Sequence, residues 1–229
     1  MSVISTEDRT LKLDRDGAEL WRGAASGYLE AIVQALARQP GDQAGIRLTG
    51  IPELSELLGA RGSIGVLVAG VLGPATRPVR MILFDKSATT NWALGWHQDR
   101  TIVVRNREKV PGFGPWTTKS GLLHVAPPIG LLERMMTIRI HLDPVPETNA
   151  PLLIAPGSHR LGRVPESQIE LAVGRHGVRA CLAHAGDIWV YSTPILHASD
   201  AAIEPLRRRV LQVDYAAEEL PGGVEWLGI

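Results

Sequence analysis

Hydrophobic residues in the N-terminal part of the chain recur at helical spacing. Between residues 16 and 38 they fall on roughly one helical face, and Gln39-Pro40-Gly41 provides a stop. The segment 51–60 predicts a second, short helix, whereas 64–72 is apolar throughout and is not assigned by periodicity. The first helix would bury Leu20, Trp21, Ala24, Tyr28, Ile32 and Leu36.

Beyond residue 79 the pattern changes to short β-rich runs separated by proline and glycine. The runs are VRMILF, TIVVR, MMTIRIHL, PLLIAP, GVRACLA, DIWVYS and RRRVLQVDY. Many short strands at modest spacing are typical of a β-sandwich or barrel, so the sequence predicts a mainly β protein with flanking helices. Residues 106–128 interrupt the pattern, and a loop of that length in a compact domain is usually functional or mobile.

Length and composition favour a single domain. The chain has 229 residues with 45% hydrophobic content, and no repeat, low-complexity tract or Pro/Ser-rich linker divides it. We expect a helical support region at residues 1–78, a β core at 79–216 and a C-terminal tail at 217–229.

Charge and composition exclude several kinds of partner. Lysine plus arginine equals aspartate plus glutamate at 24 each, which gives no reason to expect nucleic acid or an anionic membrane. The longest apolar run, residues 64–73, is far short of the roughly 20 residues of a membrane helix. The polar, acidic N-terminus differs from a secretory signal, and a single cysteine, Cys181, fits a reducing compartment. We expect a cytoplasmic protein that acts on a small molecule, with its oligomeric state open.

Common catalytic motifs of other reaction classes are missing from the sequence. There is no GxxxxGK[ST] phosphate loop, no GxSxG nucleophile elbow and no HExxH zinc helix. Gly112-Phe113-Gly114 lacks the strand-to-helix context of a dinucleotide site.

His97-Gln98-Asp99 is the first part of a candidate metal site. Residues two apart on a strand face the same side, so His97 and Asp99 would project together while Gln98 points elsewhere. Taken alone the tripeptide is a weak signal, and the alternative is an exposed polar strand end. His197, which follows the apolar strand DIWVYS, supplies a distant third ligand. Two histidines and one carboxylate leave about half of an octahedral shell open, as in ferrous sites that bind oxygen and an organic ligand together, whereas zinc more often takes histidines or cysteines alone.

The strand Arg207-Arg208-Arg209 adds a candidate anion site. Arg208 alternates with its two neighbours, so it would face the interior if they face solvent. A buried guanidinium requires an anion, and its planar fork suits a carboxylate through charge-assisted hydrogen bonds of roughly 1.5–3 kcal/mol each. The pattern predicts a dicarboxylate near the metal, and the alternative is a basic run solvated by water.

Taken together, these motifs resemble the phytanoyl-CoA dioxygenase family of iron(II)- and 2-oxoglutarate-dependent oxygenases. The resemblance extends over residues 81–216 and includes Arg208 at eleven residues after His197. The usual Asn-Gly pair after Leu142 is here Asn149-Ala150, so the turn at this point is expected to differ. The matching words are Trp96-His97-Gln98-Asp99, Ala155-Pro156-Gly157-Ser158-His159-Arg160 and His197-Ala198-Ser199.

The resemblance implies a double-stranded β-helix, a cupin-like jelly roll with N-terminal packing helices. It also implies that His97, Asp99 and His197 bind Fe(II). Arg208 and Ser199 would bind 2-oxoglutarate. Arg139 is a further candidate contact with this cosubstrate, although an outward, salt-bridging arginine is an equal alternative.

The implied activity is hydroxylation, or a related oxidation such as desaturation, of a C–H bond in a small molecule, with O2 consumed and succinate and CO2 released. Retention of Asp99 favours this over halogenation, because halogenating relatives have a small residue at this position. Two alternatives stay open. One is a cupin-like barrel that binds a metal or small ligand without redox turnover, and the other is a scaffold with a vestigial triad.

Five further residues are candidates for substrate contact. Trp92 and Trp96 flank the metal strand and would line either the pocket or the core. Lys86, Lys119 and His124 would bind an anionic substrate group, and the alternative for the last two is a solvated loop with one satisfied histidine.

Overall fold

The computed structural model describes residues 10–40, 43 and 45–229. The helices are α1 (Leu13–Asp16), α2 (Leu29–Leu36), α3 (Pro52–Leu58), α4 (Gly65–Leu72), α5 (Ile129–Glu133) and α6 (Ile169–His176). The strands are β1 (Ala18–Trp21), β2 (Ile46–Leu48), β3 (Arg77–Lys86), β4 (Leu94–His97), β5 (Ile102–Val104), β6 (Trp116–Lys119), β7 (Leu122–Val125), β8 (Met136–His141), β9 (Leu152–Ile154), β10 (Arg179–Cys181), β11 (Ile188–Ser192), β12 (His197–Ser199) and β13 (Arg208–Ala216).

The strands form three antiparallel sheets in the described part of the chain. The major sheet has the order β1-β11-β8-β13-β3-β2, and the minor sheet has the order β10-β9-β12-β4. A third sheet, β5-β7-β6, contains a hairpin. Neighbours in the major and minor sheets are distant in sequence, as in a jelly roll. The predicted double-stranded β-helix with flanking helices is confirmed.

The two faces of the major sheet differ because side chains alternate along each strand. On one face, Leu211, Val213 and Tyr215 of β13 belong to a hydrophobic cluster. That cluster also contains buried residues of α2, α3 and α4, among them Ile32 and Leu58. The helices therefore cover this face and leave the opposite face of the sheet to line a cavity.

The alternation predicted around Arg208 is confirmed. Arg208 is 2% exposed and lines the cavity. Arg207 forms an ion pair with Asp85, and Arg209 forms one with Asp143. The three consecutive arginines are therefore not a solvated basic run.

The single helix predicted over residues 16–38 is wrong in its first half. Residues 18–21 form β1, which pairs with β11 in the register Leu20↔Trp189. Gly17 and Gly23 adopt φ values of +74° and +62°, so the chain turns at both ends of this strand. Pairing of β1 with the apolar strand β11 outweighs the helical spacing of its hydrophobic residues. Within the predicted range, an α-helix forms only at α2.

The other N-terminal predictions fare better. The short helix expected within 51–60 is α3, and the unassigned apolar run is α4. Gly41, expected to end the first helix with Gln39 and Pro40, lies outside the described residues, as does the polar segment 1–9. Among the residues that are described, no helix is long and apolar enough to cross a membrane.

The expected division at residue 78 does not separate helices from sheet. Strands β1 and β2 both precede it and form the two edges of the major sheet. The segment after 216 is also more than a tail, because Trp226 is buried and forms a β-bridge with Val104. Edge strands and this bridge satisfy backbone groups that the core strands alone would leave unpaired.

Residues 106–128 are only partly a loop. Strands β6 and β7 form a hairpin that pairs with β5, and Ser120 and Gly121 at its turn have φ values of +49° and +76°. The dipeptide Ser120-Gly121 is a turn signal in the sequence, and it agrees with this hairpin. The first part of the segment, through Pro115, is irregular, and so are its last three residues, 126–128.

Two glycines in α4 provide a test of the packing behind the sheet. A Cβ at Gly65 would lie 1.8 Å from the carbonyl oxygen of Gly59, whereas a Cβ at Gly70 would have no heavy atom within 4 Å. We expect Gly65→Ala to lower the free energy of unfolding by about 1–3 kcal/mol through overpacking. Gly70→Ala should raise it by about 0.5–1 kcal/mol, because alanine favours the helix. Urea unfolding of both variants checks this, and equal effects would contradict the close approach of α3 and α4.

Candidate metal centre and its cavity

Three side chains converge where the minor sheet pairs β4 with β12. His97 ends β4, His197 begins β12, and the two residues are direct partners in the sheet. Asp99 lies two residues beyond the end of β4, so its direction comes from the chain after the strand and not from strand alternation. One ligand atom from each of the three residues lies within 4.8 Å of the others.

Backbone carbonyls hold both imidazole rings. His97 Nδ1 donates to the carbonyl oxygen of Gly95 at 2.7 Å, and His197 Nδ1 donates to that of Ile195 at 2.9 Å. A carbonyl only accepts, so each Nδ1 carries the proton and each Nε2 presents a lone pair. Burial and the neighbouring His97 lower the pKa of His197 to about 4. His197 is therefore neutral near pH 7, as a metal ligand must be.

Arg80 holds the carboxylate of Asp99 from behind. Its Nη2 donates to Asp99 Oδ2 at 3.1 Å, and its Nε donates to Asp214 Oδ2 at 2.5 Å. Asp214 Oδ1 accepts a third hydrogen bond from Thr137 Oγ1 at 3.0 Å. Burial acts to raise the pKa of Asp99, but Arg80, His197 and His97 together hold it below its ordinary value. Asp99 thus stays ionised, with its second oxygen free of Arg80.

Sequence reasoning missed Arg80, Asp214 and Gln212. A signal for two of them exists in the strand pattern, because Gln212 and Asp214 are in phase with Arg208 on β13. Polar residues at inward positions of a strand are rarely buried unless they have hydrogen-bond partners or a functional role. Arg80 can be identified only from the register of β3 with β13, which places it opposite Asp214.

Gln98 points away from the ligands, as predicted. Its Nε2 donates to the carbonyl oxygens of Gly162 and Pro194, each at 2.9 Å. Its Oε1 accepts from the backbone N–H of Val164 at 2.9 Å. These three hydrogen bonds fix the position of the backbone between His97 and Asp99.

A cluster of three buried cations, Lys86, Arg139 and Arg208, lies on neighbouring strands of the cavity face. Among the residues that the structure describes, none of the three has a carboxylate oxygen within 4.0 Å. Arg208 Nη1 donates to the carbonyl oxygen of Ala150 at 2.5 Å, and Arg139 Nη1 donates to Gln212 Oε1 at 3.1 Å. The Nε atoms of both arginines are buried without a partner. The cluster therefore has donors and charge available for an anion.

Lys86 completes this cluster from β3. Its Nζ donates to the carbonyl oxygen of Trp92 at 2.6 Å and to Ser199 Oγ at 3.2 Å. Burial, Arg208 and Arg139 lower the pKa of the Lys86 amine to about 8, and burial and Arg139 lower the pKa of Arg208. All of these shifts have the direction expected for cations that lack an anion.

The alternative of an outward, salt-bridging Arg139 is wrong, because the residue is 6% exposed and lines the cavity. At the turn of Asn149-Ala150, Ala150 adopts a left-handed conformation with φ +51°. This is the region that glycine favours, and the carbonyl group of Ala150 faces Arg208.

The ligands and the cationic cluster line one cavity of about 860 Å³. Trp92, Trp96, Lys119, Ser199 and His124 line it as well.

His124 is not part of a solvated loop, since it is 1% exposed. Its Nδ1 lies 3.3 Å from Thr101 Oγ1, and its Nε2 is buried without a partner. The alternative of a solvated loop is therefore wrong for His124, whereas Lys119 is exposed to solvent.

The family model described as phytanoyl-CoA dioxygenase (PhyH) matches residues 52–210. The chain belongs to the phytanoyl-CoA dioxygenase family. The resemblance seen in the motifs is confirmed, and the matched range contains the three converging side chains and Arg208. No curated protein matches the chain in sequence.

Solved structures with a similar fold agree with this family. EctD from S. alaskensis with 2-oxoglutarate and 5-hydroxyectoine has a TM-score of 0.64 at 18% identity, covering 93% of this chain and 79% of that chain. HygX from Streptomyces hygroscopicus with nickel and 2-oxoglutarate has a TM-score of 0.58 at 15% identity, covering 89% and 84%. SnoN, an α-ketoglutarate-dependent epimerase from nogalamycin biosynthesis, has a TM-score of 0.59 at 15% identity, covering 92% and 87%. At such identities the likeness shows the fold alone.

Arg80 provides a test of the network behind Asp99. Replacing it by alanine leaves the buried Asp214 and the partly buried Asp99 without their counter-charge, which should cost about 3–5 kcal/mol of unfolding free energy in the metal-free protein. Arg77→Ala is the matched control, since Arg77 lies on the same strand and pairs with the exposed Glu219. That change should cost less than about 1 kcal/mol. Similar losses in denaturant unfolding of both variants would contradict the role of Arg80.

Proposed function

We propose that the protein is an Fe(II)- and 2-oxoglutarate-dependent dioxygenase that hydroxylates a C–H bond of a small molecule. One observation carries the proposal. A His-Asp-His triad with ligand atoms within 4.8 Å of one another shares a cavity with three buried cations that have no carboxylate partner in the part of the chain that the structure describes. A metal ion and a dicarboxylate together complement both features.

The donor set fits ferrous iron. Two imidazole nitrogens and one carboxylate oxygen, from His97, His197 and Asp99, form a site that leaves positions open for a chelating ligand and oxygen. Both histidines present Nε2 lone pairs because their Nδ1 atoms are bonded to carbonyls. The Arg80 bond keeps Asp99 ionised and oriented.

The cationic cluster fits 2-oxoglutarate. In this proposal Arg208 binds the carboxylate remote from the metal, because its guanidinium is buried and its Nε lacks a partner. Ser199 and Lys86 lie beside it, and Arg139 adds positive charge from the next strand. An anion here would relieve the repulsion among these cations.

The protein's own contribution to the reaction is ligation, orientation and exclusion of water. When bound, iron and 2-oxoglutarate supply the oxidative chemistry, in which O2 is consumed and succinate and CO2 are released. Arg208 and its neighbours fix the direction of the cosubstrate, and Arg80 prevents Asp99 from turning away. Trp92 and Trp96 line the cavity and exclude water from it.

Hydroxylation is the proposed outcome among the reactions that this fold supports. Retention of a carboxylate at Asp99 favours oxygen insertion over halogenation, since no position is opened for a halide. The description of SnoN as an epimerase shows that a similar fold also serves a reaction other than hydroxylation.

Anaerobic titration of the Fe(II)-loaded protein with 2-oxoglutarate tests the proposal. We expect a weak visible absorption band, which His97→Ala abolishes by removing a ligand. Arg208→Ala should weaken 2-oxoglutarate binding by about 100-fold or more, because it removes charge-assisted bonds. Arg209→Ala is the matched control, since Arg209 faces the other side of β13 and pairs with Asp143. Absence of the band in iron-loaded protein, or equal losses in both arginine variants, would refute the assignment.

The pH dependence of 2-oxoglutarate binding tests Lys86. Burial lowers the pKa of this amine to about 8 and that of the Arg208 guanidinium to about 9, so Lys86 is the first of the two to lose its charge as the pH rises. We expect the Kd for 2-oxoglutarate to rise by up to about tenfold per pH unit above 8. Calorimetry with Ni(II)-loaded protein measures this. Lys86→Met should bind weakly at every pH, and a flat profile in the unaltered protein would exclude the role of Lys86.

A further inference from the structure

The cavity has a second cationic wall on its opposite side. The pairing of strands aligns Arg139, Gln212, Ile82 and Arg47 in one row across β8, β13, β3 and β2. All four residues line the cavity. Three strand spacings separate Arg47 from Arg139, which corresponds to about 14 Å between their backbones. Arg47 thus lies well apart from the cluster assigned to 2-oxoglutarate.

Arg47 is held against the hairpin of β6 and β7. Its Nη1 donates to Ser120 Oγ at 3.0 Å, at the turn of the hairpin. Its Nε is buried without a partner, and burial and the nearby Arg80 lower its pKa. The hairpin also places Lys119 and His124 on this wall of the cavity.

His124 lies on the same wall of the cavity. It is 1% exposed, and its Nε2 is buried without a hydrogen-bond partner. Burial lowers its pKa to about 4, with further contributions from Arg80, Lys119 and Arg47. Three cations therefore act on one buried imidazole.

Arg47 and the exposed Lys119 add positive charge to this wall, and the exposed Glu170 also lines the cavity. The nearby carboxylates of Asp99 and Asp214 are both bonded to Arg80. Within the described ranges, neither Arg47 nor Lys119 has a carboxylate oxygen within 4.0 Å. On the facing wall, Glu166 is paired with Arg100, and Trp96 and Ile169 are partly or fully buried apolar surfaces.

We propose that Arg47, Lys119 and His124 bind an anionic group of the substrate. The substrate would be an organic anion, a carboxylate or a phosphate ester, whose apolar part lies against Trp96 and Ile169. Arg47 supplies a planar fork, Lys119 a mobile point charge and His124 a ring nitrogen without a partner. This inference rests on the proposed function, because it takes the other cationic cluster to be occupied by 2-oxoglutarate.

Binding of small anion probes tests the site. Protein saturated with Ni(II) and 2-oxoglutarate, so that the first cluster is filled, is titrated by calorimetry with acetate, hexanoate and benzoate. The corresponding amides serve as neutral probes of equal shape, and methyl phosphate and phenyl phosphate form the second arm. We expect at least one anion to bind about tenfold or more tightly than its neutral counterpart. Stronger binding in the carboxylate or in the phosphate arm identifies which group the site prefers.

Variants locate the preference on this wall. Arg47→Gln and Lys119→Gln should each reduce the preference for the anion by about tenfold, and the double variant should abolish it. Arg61→Gln, at an exposed position outside this cavity, is the matched control and should change nothing. The 2-oxoglutarate titration of each variant shows that it is folded.

The outcomes separate the two proposals. If 2-oxoglutarate does not bind to the Ni(II)-loaded protein, the proposed function fails. If 2-oxoglutarate binds but no anion is preferred over its amide, the substrate site is refuted. A preference that survives in the Arg47→Gln and Lys119→Gln double variant also refutes it, because the anion then binds elsewhere.

Discussion

Side-chain alternation in the major sheet is the constraint on which the rest of the structure depends. One face of β3, β8 and β13 is buried against helices α2, α3 and α4 by a continuous hydrophobic cluster. The charged residues at the alternate positions of these strands project from the other face of the sheet. Arg80, Lys86, Arg139 and Arg208 line one cavity there. A slip of one residue in the register would exchange the two faces, so core packing and the cavity are specified by the same interaction.

The buried charges fall into two groups with different consequences. Arg80 has two carboxylate partners, Asp99 and Asp214, and forms a complete network within the protein. Arg139 and Arg208 have none among the described residues, and neither has the partly buried Arg47. A buried ion without a partner is costly, so ligands that bring negative charge stabilise the folded state when they bind. The completed network orients a metal ligand, and the incomplete ones are binding sites in our proposals.

The sequence alone predicted the parts that depend on local pattern. The strand runs after residue 79 and the inward direction of Arg208 follow from a period of two, and both are present. The joint direction of His97 and Asp99 was predicted from their spacing of two, whereas the proximity of His197 depended on the family resemblance, since nothing local joins it to the other two residues. The triad geometry itself is now seen, with atoms within 4.8 Å.

The parts that the sequence did not predict depend on partners distant in the chain. β1 has apolar residues that fit a helix equally well, and only its pairing with β11 makes it a strand. Arg80 meets Asp99 and Asp214 through the register of β3 with β13, and Arg47 reaches the cavity only because β2 extends the same sheet. Such contacts form only in the assembled fold, and they cannot be predicted from the spacing of residues along the chain.

The central claim is that one cavity holds a metal ion and a dicarboxylate at separate, pre-formed positions. A crystal structure of the protein with Ni(II) and 2-oxoglutarate, with anomalous scattering recorded at the nickel edge, tests it most directly. The account predicts an anomalous peak bonded to His97, Asp99 and His197, with the far carboxylate of 2-oxoglutarate on Arg208. Nickel at any other position, or a carboxylate that leaves Arg208 unbound, would contradict it.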